Sequence, residues 1–224
     1  MSFLPHTLSA DISDRLGRAV ARTGLSPNAL TVIGLLGMGG ASTLAAYGRF
    51  WQAGVVVIAA SFFDLLDGAV ARATGRATRW GAVFDAVSDR LADFGILFGL
   101  LVWYSAPDRF DREAVLLIGL ALFGSLLVSY TRSKAGEFGV RIRSGLGTRL
   151  ERVLIIVIGL LSGQIVPILW LLAILTNLTA LQRWALTWHA MRELGIDDPA
   201  ADEQSLSETQ PIPPTRRGPF GPIR

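Results

Sequence analysis

The chain has 224 residues, 51% of them hydrophobic and 17% charged, with no cysteine and a formal net charge of +3. Soluble domains carry ~25% charged residues, so this composition and a mean hydropathy of +0.45 exclude an ordinary soluble fold. The missing cysteines exclude disulfides, thiolate metal sites and thiol nucleophiles.

Residues 1–25 lack the apolar core and small-residue cleavage site of a signal peptide. Leu16, Ala19 and Val20 fall on one side of a helix and Arg15, Arg18 and Arg22 on another, which predicts an amphipathic helix lying on the membrane. Ser26-Pro27 is a helix start, and a first span is expected over 28–47, with Gly34, Gly37, Gly39 and Gly40 suited to close helix packing. A second span begins at 50 and runs into the acidic stretch 61–93. A third emerges over 81–105, a fourth over 114–134, a fifth over 149–161 and, after the tight turn SGQ, a sixth over 165–189. The polar, proline-rich segment 195–224 is expected to be a disordered cytoplasmic tail.

The expected fold is therefore all-α and integral to the membrane: six transmembrane helices (26–194) preceded by an N-terminal amphipathic interfacial helix (1–25). Arginine is concentrated in the N-terminal segment, the 72–79 and 132–152 connections and the tail. The opposite connections hold Arg49, Arg109 and Arg112. This bias places both termini and the acidic stretch on the cytoplasmic side of a multi-pass cell-membrane protein. Because the basic residues flank apolar helices, they point to anionic head groups of membrane lipids, and no nucleic-acid partner is expected.

The acidic stretch is costly beside membrane helices and needs an explanation. Residues three and four apart share a helix face. Asp64, Asp67, Gly68 and Ala71 therefore line one side of the second helix, and Gly81, Asp85 and Asp89 line one side of the third. A turn joins the two, so four carboxylates can converge as the helices pair. Unpaired, they would repel one another, at several kcal/mol for each buried ion. Neighbouring Arg72, Arg76, Arg79 and Arg90 can pair with some of them, yet all-oxygen ligands without His or Cys suit a hard divalent cation such as Mg²⁺. Gly68 and Gly81 admit something bulky, and Arg72 suits a phosphate. The competing reading is an ion or proton pathway built from the same acids. Acids crowded at one helix end, with glycines at helical spacing, fit a metal–diphosphate site better.

The spacing Asp64-x2-Asp67-Gly68-x2-Ala71-Arg72-x8-Gly81-x3-Asp85-x3-Asp89 resembles the signature of the CDP-alcohol phosphotransferases, with all eight positions filled. At ~10% usage per position, chance agreement is on the order of one in a hundred million per start point. The resemblance implies transfer of a phosphatidyl group from a CDP-linked lipid (CDP-diacylglycerol) to an alcohol with release of CMP, and a homodimer. It implies two Mg²⁺ ions (or Mn²⁺), with Asp64 and Asp85 bridging both, Asp67 completing one and Asp89 the other. Asp89 would also be the catalytic base for the acceptor hydroxyl. Gly68, Arg72, Thr78, Gly81 and the loop Ser26, Pro27, Asn28 and Ala29 would bind the CDP-lipid.

A further basic group bears on the acceptor. Arg132, Lys134, Arg149 and Arg152 crowd the same end as the acids, and Arg183 is a cation inside an apolar run. Such a pocket suits a phosphorylated polyol. The segments SYTRSKA and TRLERVLI are similar to those of the inositol-phosphate-using members of the family and their archaeal counterparts. There the resemblance assigns the acceptor phosphate to Arg132, Arg149 and Arg183. Ser133, Gly136, Thr148 and Leu150 depart from that pattern, and glycerol 3-phosphate is the alternative acceptor. Asp93 extends the acid face by one more turn outside the signature, either behind the cluster or solvated. His6 and His189 lie far apart, and no metal role is expected for them.

Overall fold

A computed structural model describes residues 26–75, 78–140 and 147–195, together with residues 20 and 24. Among them are six α-helices: α1 (Pro27–Ala46), α2 (Phe50–Ala73), α3 (Arg79–Tyr104), α4 (Arg112–Glu137), α5 (Arg149–Ser162) and α6 (Ile165–Glu193). The amphipathic helix expected over 1–25 and the tail beyond Gly195 lie outside the described residues. Val20 and Gly24 are the exceptions, and Val20 packs beside Leu30, Leu66 and Val70.

Local chemistry sets the helix starts. Ser26 caps α1, its hydroxyl accepting from the Ala29 amide, with Pro27 in the first turn. Thr78 accepts from Gly81 N at 2.9 Å and starts α3 two residues before the expected Gly81. Asp111 caps α4, and Thr148 forms a capping box with Glu151 that begins α5. Gly163, at φ 73°, ends α5 in the left-handed conformation that the SGQ turn needs.

Four helices, α1, α2, α4 and α6, are long and apolar enough to cross a membrane. Two of the six expected spans do not meet that measure. The first fifteen residues of α3 carry Arg79, Asp85, Asp89, Arg90 and Asp93. α5 has 14 residues, about 21 Å at 1.5 Å per residue, short of a ~30 Å hydrocarbon core. Leu36, Ile58, Phe62, Leu116, Phe123 and Leu126 are exposed around the bundle, a surface suited to lipid rather than water.

α1 packs against α2 and α3, α4 packs against α6, and α5 sits on α2 and α6. Small residues permit the closest approaches. A Cβ on Gly99 of α3 would strike the Ser42 backbone of α1, where the Ser42 hydroxyl donates to Gly95 O at 2.5 Å. Between α4 and α6, a Cβ on Gly124 would lie 2.8 Å from Thr176 Cβ and 2.9 Å from Asn177 N, while Asn177 Nδ2 donates to Leu120 O at 2.9 Å. The core between these contacts is aliphatic, around Ala41, Val57, Ile96, Ile118, Leu160 and Leu172.

Gly124→Val should therefore destabilise the bundle by about 1–3 kcal/mol through overpacking, read as a fall in the thermal unfolding midpoint in detergent. Gly119→Ala, where a Cβ meets open space, should leave that midpoint unchanged; equal effects of the two would remove the α4–α6 contact as the cause.

Candidate active site

The up-down order of the helices brings the C-terminal ends of α2, α4 and α6 together with the N-terminal ends of α1, α3 and α5. Most of the charge collects at that end. Asp64, Asp67 and Asp85 each offer a carboxylate oxygen, and the three atoms lie within 4.8 Å of one another. Asp67 is buried, at 4% exposure, and accepts from the Thr31 hydroxyl at 2.5 Å. Asp64 is half-buried and Asp85 exposed.

Asp89 stands one turn further along α3 and faces α5. Arg149 Nη1 lies 2.8 Å from Asp89 Oδ1, outside hydrogen-bonding geometry, and that buried oxygen has no hydrogen-bond donor. The same guanidinium hydrogen-bonds Asp64, and its Nε lies 3.6 Å from Asp93 Oδ1. One arginine thus bridges the acids of α2 and α3. The all-oxygen donor set and the undonated Asp89 oxygen fit a hard divalent cation.

Two cavities meet at Asp85. One, of about 210 Å³, lies among α1, α2 and α3 and is lined by Pro27, Asn28, Gly68, Arg72, Thr78 and Gly81 together with Thr31 and Asp67. A Cβ on Gly68 would come 3.2 Å from Arg72 Nη1, so the missing side chain makes room for that guanidinium. Ser26 and Ala29 do not line this cavity; they form the α1 cap at 3.2 Å.

The other cavity, of about 450 Å³, lies between α3 and the α4–α6 side and is lined by Asp85, Asp89, Arg132, Arg149, Arg152 and Arg183. Arg152 and Arg183 are 6% and 8% exposed, and the Nε of each is buried without a hydrogen-bond partner. Arg183 donates through Nη1 to Val128 O at 3.2 Å, so α6 delivers it across to the α4 wall. Lys134 does not reach the cavity. Two residues beyond Arg132, a rotation of about 200°, it is exposed and pairs with Glu137 at 2.8 Å.

The structure also brings in residues that the sequence reading did not assign to the site. Ser129, Ser133 and Gly136 line the larger cavity beside Arg132 at helical spacing, a stripe that periodicity could have found. Asp93 is 2.8 Å from Arg152 Nη2; it is one turn past Asp89, as Arg152 is one turn past Arg149. Thr31 had no such signal, because its contact with Asp67 spans 36 positions.

The family model for CDP-alcohol phosphatidyltransferase matches residues 24–191. A phosphatidylinositol phosphate synthase of Mycobacterium marinum is 35% identical over 196 residues, 83% of each chain. An archaetidylinositol phosphate synthase of Pyrococcus horikoshii is 37% identical over 175 residues, 76% of this chain and 87% of that one. The crystal structure of the phosphatidylinositol phosphate synthase of Mycobacterium tuberculosis with CDP-DAG bound superposes with a TM-score of 0.72 at 32% identity, covering 80% of this chain and 94% of that one. The same enzyme in complex with manganese and citrate matches with a TM-score of 0.72 at 31% identity, over 79% and 88% of the two chains. With the acidic signature inside the matched region and three-quarters of the chain covered, the protein belongs to the CDP-alcohol phosphatidyltransferase family and is a transferase of phospholipid synthesis.

Proposed function

We propose that this chain transfers the phosphatidyl group of CDP-diacylglycerol to the hydroxyl of inositol phosphate, giving phosphatidylinositol phosphate and CMP. The observation that carries the reading is the pair of cavities meeting at Asp85, one walled by glycine and Arg72 and the other by buried arginines. Relatives named for inositol phosphate products at 35–37% identity support the acceptor.

Asp64, Asp67, Asp85 and Asp89 are the residues that would hold two Mg²⁺ ions, or Mn²⁺. When bound, such ions neutralise a diphosphate and stabilise the departing CMP. Pro27, Asn28, Gly68, Arg72, Thr78 and Gly81 receive the CDP portion of the donor, with Ser26 and Ala29 shaping the start of α1. Arg132, Arg149, Arg152 and Arg183 hold the acceptor's phosphate, which orients its hydroxyl toward Asp89. Asp89 accepts that hydroxyl's proton as the new O–P bond forms and the bond from phosphorus to CMP breaks. Buried Arg183 also favours a phosphorylated acceptor, because its side chain donates to the Val128 carbonyl and an unphosphorylated polyol leaves its charge unmatched.

All six helices lie within the bilayer, α3 with its acidic part at the boundary and α5 presenting Leu150, Leu154 and Ile158 outward to lipid. Residues 1–25 lie on the membrane surface and 195–224 form a cytoplasmic tail. Both termini and the site face the cytoplasm by the arginine bias, and the chain pairs as a homodimer.

A CMP-release assay with CDP-diacylglycerol and Mg²⁺ tests the reading across inositol 1-phosphate, glycerol 3-phosphate, free inositol and serine. Inositol 1-phosphate should lead glycerol 3-phosphate at least tenfold in kcat/KM, and free inositol should be at least a hundredfold poorer than inositol 1-phosphate. Preference for glycerol 3-phosphate would overturn the acceptor alone; no CMP with any alcohol would overturn the reaction. Asp89→Asn should lower kcat by roughly 10²–10⁴-fold while CDP-diacylglycerol binding stays within threefold.

Arg149→Gln removes the cation shared by Asp64, Asp89 and Asp93. In EDTA the thermal midpoint should fall by roughly 5 °C or more, and Mn²⁺ or Mg²⁺ should restore most of the loss. An unchanged midpoint in EDTA would mean that Arg149 gives no net compensation.

A further inference from the structure

We propose that Asp93, which lies outside the eight-position signature, is a positioning residue for the arginines of the larger cavity. The inference rests on the reading that this cavity takes the acceptor's phosphate. α5 packs on α2 and α6 and reaches α3 through the side chains of Arg149 and Arg152. Asp93 meets both: its Oδ2 accepts from Arg152 Nη2 at 2.8 Å, and its Oδ1 lies 3.6 Å from Arg149 Nε.

Arg152 has a second anchor, from Nη1 to Gly147 O at 3.5 Å. Its planar fork is therefore held at one end by α3 and at the other by the residue just before the α5 cap. Its buried Nε makes no hydrogen bond. A guanidinium gripped this way has lost most of its rotamer freedom before any ligand arrives, and pre-organisation of that kind is worth affinity. Asp93 also separates the two arginines' tasks. Arg149 is drawn toward Asp64 and Asp89, and Arg152 is held back on the cavity wall.

Charge alone predicts the opposite effect. Removing a carboxylate from a phosphate site should tighten anion binding, whereas removing a positioning group should weaken it. The two roles thus differ in sign.

Asp93→Asn keeps the shape and removes the charge. The expected result is an acceptor KM raised at least tenfold, with kcat within threefold and the CDP-diacylglycerol KM within twofold. Calorimetric titration of the detergent-solubilised chain with inositol 1-phosphate should show the same loss of affinity. Asp93→Glu should recover to within threefold of wild type. Arg152→Lys, which retains the charge but not the fork, should raise the acceptor KM like Asp93→Asn, and the double variant should be no worse than the poorer single one. An acceptor KM unchanged or lowered in Asp93→Asn overturns the proposal. Should Asp93→Asn not fold, Asp93→Ser is measured in its place, and effects of Asp93→Ser and Arg152→Lys that add in the double variant overturn the proposal. Should wild type use glycerol 3-phosphate instead, the inositol reading fails, and Asp93 is judged by the same tenfold criterion on glycerol 3-phosphate.

Discussion

Five carboxylates at one end of an apolar bundle can persist only if cations compensate them, and much else in this chain follows from how that is done. Arg149 supplies one shared cation to Asp64, Asp89 and Asp93, and Arg152 supplies a second to Asp93. Both project from the first turn of α5, whose capping box fixes where that turn begins. A 14-residue helix is short for a span but long enough to carry two guanidiniums to the acids from the opposite side. The result is a charged layer between α2–α3 and α5, in which a lost partner costs more than an exposed ion pair would.

Packing determines where that layer can exist. α1, α2 and α3 approach closely because Gly34, Gly37 and Gly99 meet backbone or small side chains, and this brings Asp64 and Asp67 opposite Asp85. α4 and α6 approach through Gly124 and place Arg132 and Arg183 on a common wall. The larger cavity lies between these two groups of helices, and the smaller one within the first. The two cavities, one walled largely by α1–α3 and the other by arginines of α4, α5 and α6, therefore meet at one carboxylate, Asp85. Lys134 illustrates the geometric limit: two residues from Arg132, it faces away and pairs with Glu137.

What was legible in the sequence was local or periodic. The three- and four-residue spacing of Asp64, Asp67, Asp85 and Asp89 put each pair on one helix face, and Ser26-Pro27 marked the start of α1. The cationic residues flanking α5 were visible as a cluster, though not which of them would turn inward. Thr31 beneath Asp67, Asp93 between two arginines and Ser129 on the cavity wall depend on contacts 36 to 59 positions apart or on the rotation of a whole helix. Spacing along one chain carries no information about the register between two helices.

The sequence by itself determined the membrane character, the helix order and the family signature, because hydropathy, capping and the spacing of acids depend on a few neighbouring residues. Only the tertiary structure decided that Arg149 bridges α2 and α3, that Arg183 crosses to α4 while Lys134 stays outside, and that two cavities share Asp85. Those outcomes depend on how close glycine and alanine let the helices come and how each is turned about its axis, and burial of the whole apolar core sets both.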